Sequence, residues 1–121
     1  MTNEGIWIRR VYDEPTSEDG TRVLVDRIWP RGLAKEAANL DDWVKDVAPS
    51  TELRKWYAHD PAKFPQFRSR YRAELEAPVS RQAVAHLREL ATDRRLTLLT
   101  ASKDLDHSQA TVLAEVLQES R

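Results

Sequence analysis

The order of apolar patterns along the 121 residues predicts a small α/β domain, with a thin sheet of about three strands covered on at least one face by helices. Two observations carry this. Short runs rich in β-branched and aliphatic residues stand near both ends of the chain: IWIRRV at 6–11, RVLVD at 22–26 and LTLLT at 96–100. Between and after them, apolar residues recur at helical spacing. The element order is therefore strand, strand, several helices, strand, helix.

Pro15 and Asp19-Gly20 mark 13–21 as a loop. That link is too short for the usual helical crossover, so local rules alone favour an antiparallel pairing of the first two strands. Asn39 is placed to cap a helix in which Leu40, Trp43, Val44 and Val47 share a face. Pro49-Ser50 ends it and caps a second helix with Leu53, Trp56 and Tyr57 on its apolar side. Asp60-Pro61 is a helix start, an N-cap carboxylate followed by proline at the first helical position. Phe64, Phe67, Tyr71 and Leu75 then form an apolar stripe that Pro78 limits. Ser80 opens the next helix, with Val84, Leu87 and Leu90 inward, and the Asp106/Gln109 pair is spaced as a capping box before Val112, Leu113, Val116 and Leu117. The four tryptophans are expected to supply much of the core.

Length bounds the chain to a single domain, 1–121. With 40% apolar and 32% charged residues, the composition is that of an ordered soluble globule rather than a disordered chain. No apolar run approaches a membrane span, and the leading MTNEG lacks the basic and apolar regions of a signal peptide. Zero cysteines exclude disulfides, a thiolate nucleophile and sulfur-ligated metal, and point to a reducing cytoplasm. The three histidines match no metal-site spacing, no Gly-rich phosphate loop is present, and no serine sits in a nucleophile-elbow setting, so no cofactor or metal is expected.

The most informative stretch is VLVDRIWPRG at 23–32, where an apolar strand runs into Asp26, Arg27, Pro30, Arg31 and Gly32. Arginines at the end of a buried strand are costly unless something anionic meets them, and α/β sheets place their ligand crevice at that end. The second candidate is the junction Thr100–Ser108, which holds Lys103 and His107 and opens a helix N-terminus. If the strands at 22–26 and 96–100 are parallel neighbours, Arg27, Arg31 and Lys103 converge with Ser108 on one anion site. Asp26 would orient Arg27, and His107 is the candidate catalytic proton carrier. The competing reading is an internal ion-pair network of the same arginines with Asp26, Asp104 and Asp106.

Net charge of −1 argues against a general polyanion binder, yet Leu53–Arg72 carries Arg54, Lys55, Lys63, Arg68, Arg70 and Arg72 against Asp60 alone. Its interleaved aromatics resemble a base-stacking surface, but the spacing at 64, 67 and 71 is helical and fits a core face better. Arg54, Arg68 and Arg72 remain the residues of an alternative nucleic-acid face. His59, beside Asp60 in a helix-to-helix turn, is placed either to hold a cap or to contact a ligand, and the cap is the reading favoured. A third reading is a non-enzymatic interaction module, a homodimer burying Trp7 or Trp29.

Taken together, VLVDRIWPRG, DWVKDVAPSTELRKWYAHDP, FRSRYRAEL and LTLLTASKDLDHSQATVL resemble the short, YeaO-like branch of the DUF488 family, from Ile6 to about Leu117. The matching positions are Asp26, Arg27, Pro30, Arg31, Gly32, Arg54, His59, Asp60, Pro61, Arg70, Tyr71, Lys103, Asp104 and His107. The resemblance implies a bacterial, intracellular α/β protein with a mostly parallel sheet, including parallel first and second strands, and assigns no role to those residues. Longer relatives carry a Cys-His-Arg type motif after a late strand. Here Thr100 and His107-Ser108 stand about there, so thiol chemistry does not carry over. The reading adopted is a small cytoplasmic protein that binds a phosphate- or carboxylate-bearing ligand, a nucleotide among them, at the carboxyl ends of its strands.

Overall fold

Leu96–Thr100 (β4) is apolar on both faces and wholly buried, the pattern of a strand covered on both sides. The computed structural model, which describes residues 5–119, places it in the interior of a four-stranded parallel sheet of order β1-β4-β2-β3. Here β1 is Ile6–Arg10, β2 is Thr21–Leu24 and β3 is Asp42–Trp43. Most of the leading segment read above for targeting features lies outside the described residues.

Three expectations about the sheet change. The first two strands point the same way, as the family resemblance implies and against the local rule, and they are not neighbours because β4 lies between them. Ten residues extend to roughly 33 Å, which is ample to step over one strand and return, so a helix is not needed in the crossover. That link turns at Gly20, whose φ of 67° and approach to the Arg95 carbonyl leave no room for a Cβ. A fourth strand also replaces part of the predicted 40–47 helix. Asn39 adopts φ 51° and closes the short helix α1 (Lys35–Ala38), a left-handed role asparagine tolerates, rather than capping a helix after it.

Ser50 caps α2 (Thr51–Tyr57) by accepting from the Leu53 N–H at 3.1 Å. Asp60 accepts from the Ala62 N–H at 3.0 Å and starts a 3₁₀ turn at Pro61–Lys63 that runs into α3 (Phe64–Glu74). The next helix, α4 (Pro78–Asp93), starts at Pro78 instead of Ser80, because proline is favoured at a first helical position. The last, α5 (Gln109–Gln118), is entered through a 3₁₀ turn at Leu105–His107, so Ser108 occupies the cap position that the Asp106 pattern suggested. Among the described residues no helix is long and apolar enough to cross a membrane.

Val23, Val25, Leu96 and Leu98 meet Phe67, Tyr71, Val84, Leu87, Leu113 and Leu117 in the main core. Leu24, Leu99 and Val11 form a smaller cluster with Trp29, Leu33, Leu40 and Trp43. The tryptophans edge these clusters and none is fully buried; aliphatic side chains, Phe67 and Tyr71 fill the interior instead. Beside Gly20, buried Asp19 accepts from Arg9 at 3.0 Å and from Arg22 at 2.6 Å. Burial acts to raise its pKa. The Thr16 N–H, the two arginines and the Thr16 hydroxyl outweigh that and bring it to about 2.

Candidate functional site

Parallel pairing of β2 with β4, in the register Leu24↔Leu99, makes the two chain exits open side by side. Asp26 ties them together. Its carboxylate accepts from the Thr100 hydroxyl at 2.7 Å, the Ala101 N–H at 2.8 Å and the Gln109 side-chain amide at 2.5 Å. Burial raises its pKa above the usual carboxylate value, opposed by those three donors and by the charge of Arg54. Asp26 thus anchors the β4–α5 junction and does not orient Arg27, as the sequence had suggested. The aspartate's short side chain points across to the neighbouring strand exit, while Arg27 reaches the other way.

Arg27 is instead held by backbone, its Nε donating to the Pro49 carbonyl at 2.9 Å and a terminal nitrogen to Ala48 at 3.1 Å. Carbonyls orient a guanidinium without cancelling its charge. Arg31 and Lys103 are exposed. All three line one cavity of about 670 Å³, together with Arg54 from α2. None of these four cations forms a salt bridge among the described residues. The ion-pair network weighed above is therefore absent there: Asp26 is bound as described and Asp104 pairs with His107.

His107 lies in the 3₁₀ turn, its Nδ1 2.8 Å from Asp104 Oδ2 and its ring edge-on to Phe64 at 5.2 Å. A carboxylate can only accept, so Nδ1 carries the hydrogen and Nε2 is left as the second ring nitrogen. Its carbonyl accepts from the Tyr57 hydroxyl at 2.5 Å. Burial, with Asp104 and Asp60 nearby, raises the Tyr57 pKa and keeps that phenol a donor.

Ser108 lines the same cavity but brings no free donor to it. Its hydroxyl and its N–H both donate to the Leu105 carbonyl, at 2.8 and 3.2 Å, because the 3₁₀ turn needs them, so neither is free for an anion. His59 lines the cavity and leaves the capping to Asp60, and it follows Ala58 in left-handed backbone with φ of 57° and 48°. The residues of the alternative nucleic-acid face separate. Arg54 joins the cavity, while Arg68 pairs with Glu115 at 2.8 Å and Arg72 with Glu115 and Glu119, all across the α3–α5 contact. Neither Trp7 nor Trp29 is bare: Arg95 covers the ring of Trp7 at 3.7 Å, and Trp29 meets Trp43 edge-on at 5.3 Å.

Sequence reasoning missed Arg54 as a member of the cavity and the Gln109 side chain as a partner of Asp26, and it ranked the cavity second for His59. No local spacing relates α2 to the β2 exit. The one available signal was a polar glutamine at the first position of a helix facing two strand ends.

A family model described as the inactive DUF488-N3 subclade matches residues 5–121. An uncharacterised protein of Mycobacterium tuberculosis and one of Mycobacterium bovis are each 46% identical over 110 residues, 91% of this chain and 91% of theirs. The uncharacterised protein YeaO of Escherichia coli is 42% identical over 113 residues, 93% of this chain and 96% of its own. No solved structure matches. From the family model and these relatives alike, the chain belongs to the DUF488 family.

Proposed function

We propose that this chain binds a small phosphate- or carboxylate-bearing ligand, a nucleotide among the candidates, at the carboxyl ends of β2 and β4. The observation that supports this most is the gathering of Arg27, Arg31, Arg54 and Lys103 around one cavity with no salt bridge to any of them among the described residues, although Asp26 and Asp104 also line it and Asp26 feels the charge of Arg54. Cations lining one cavity repel one another, an arrangement that an anionic occupant relieves. Arg27 is the preoriented donor, Arg31 and Lys103 flank the entrance, and Arg54 adds charge from α2. His107, its Nδ1 engaged by Asp104, offers Nε2 to the ligand.

Binding without turnover is the form of this reading that the subclade's description, inactive, favours. The want of cysteine agrees with it and with the reducing cytoplasm assigned above. The test is a titration of inorganic phosphate and pyrophosphate followed by backbone amide NMR. Shifts should centre on 26–31 and 101–109. Arg27→Ala and Lys103→Ala should each weaken binding about tenfold or more, since a hydrogen bond to a charged group contributes roughly 1.5–3 kcal/mol. Folded variants that bind as the parent does would overturn the assignment.

A further inference from the structure

The cavity is far larger than a lone anion needs, and one stretch of its wall, Ile28–Pro30, is apolar. A volume of about 670 Å³ lies within the range of sites that enclose a whole organic ligand. Between Arg27 and Arg31 stand Ile28, Trp29 and Pro30, all lining it. Ile28 is 58% exposed, one of three large hydrophobic side chains so open among the described residues. A second, Tyr12, lies outside the cavity lining and donates its hydroxyl to the Arg31 carbonyl at 2.8 Å. Trp29 has its indole N–H spent on the Leu33 carbonyl at 2.8 Å, so its remaining surface is purely apolar.

Apolar surface left in water beside a cluster of cations favours a ligand with both characters. Resting on the anion-site reading above, we infer that the occupant is a phosphate ester of a flat organic ring. Its phosphate lies among Arg27, Arg31 and Lys103, and its ring lies against Ile28 and Trp29. Ile28 is then the residue that distinguishes a ring-bearing phosphate from a bare one. A sugar phosphate satisfies the cations but leaves the isoleucine wet, and a neutral nucleoside does the opposite.

Calorimetric titration with inorganic phosphate, ribose 5-phosphate, phenyl phosphate, adenosine 5′-monophosphate and adenosine separates these cases. Phenyl phosphate and adenosine monophosphate should bind at least tenfold tighter than inorganic phosphate or ribose 5-phosphate, and adenosine should bind weakly. Ile28→Ser, at an exposed position, should cut the affinity of the two ring phosphates about threefold or more and leave inorganic phosphate unchanged. Equal affinities across the four phosphates would overturn the ring inference while leaving the anion site standing. No binding by any phosphate would remove the anion site itself, and the ring inference with it.

Discussion

Replacing Asp26 should loosen the joint between the two strand exits, and the structure allows the size of the effect to be worked out. The carboxylate serves three donors: the Ala101 N–H, the Thr100 hydroxyl and the Gln109 amide. In Asp26→Ala the Ala101 N–H loses its acceptor, at about 1–3 kcal/mol for a buried group, whereas the hydroxyl can rotate and the half-buried glutamine can turn to water. Against this, burial of the carboxylate is itself unfavourable, as its raised pKa shows, and alanine removes that term. That relief offsets part of the loss, so the net falls at the low end, about 1 kcal/mol, which for a urea slope near 1.5 kcal/mol/M moves the midpoint down by roughly 0.7 M.

The sign of the pH dependence is a second readout. An acid whose native pKa exceeds its unfolded value of 3.8 keeps its proton longer in the folded state. Its contribution to stability therefore falls as pH rises from about 3.8 through the raised value. Asp26→Asn cannot titrate and should remove that downward slope, seen in urea melts stepped across this interval. An unchanged midpoint in Asp26→Ala, or the same slope in Asp26→Asn, would refute the role given to this carboxylate.

At the opposite end of β2, Asp19→Asn should cost about 3–5 kcal/mol in the same assay, because it strands buried Arg22 and half-buried Arg9 without their counter-charge. The parent protein should lose part of this contribution as pH falls from about 4 through about 2, the reverse of the Asp26 trend, since the Asp19 pKa is lowered to about 2. For the α3 arginines, titration of a duplex oligonucleotide at low and high salt should show only weak affinity, because Arg68 and Arg72 are occupied by Glu115 and Glu119. Steeply salt-dependent binding that an Arg68→Ala, Arg72→Ala double variant abolishes would overturn that expectation.

Much of the fold was legible because its signals are local. Ser50, Asp60-Pro61 and the 64/67/71/75 stripe act within a few residues, and each behaves as its pattern predicts. The 40–47 region misled because Leu40, Trp43 and Val44 satisfy a helical period while packing on a sheet, where Trp43 sends its indole N–H to the Asp26 carbonyl at 2.6 Å. Short apolar runs do not distinguish the two cases. The site divides in the same way. Arg27, Arg31, Lys103 and His107 stand directly after strands, so the α/β rule could reach them, whereas Arg54 arrives through tertiary packing alone. Ser108 reaches the cavity as well, but the 3₁₀ turn before α5 uses its donors, and nothing in the residue types marks that turn.

β4, in the interior of the sheet, is made after the other three strands. β1 and β2 have no ladder with each other, and both pair with β4, which the ribosome supplies about seventy residues after β2. Until then β2 has only the two-residue β3 beside it and β1 has no strand partner, so the growing chain must hold Ile6 and Ile8 unpaired until β4 emerges. Folding is in this sense a closing act, and a nascent chain halted before residue 96 would have no central strand around which to assemble.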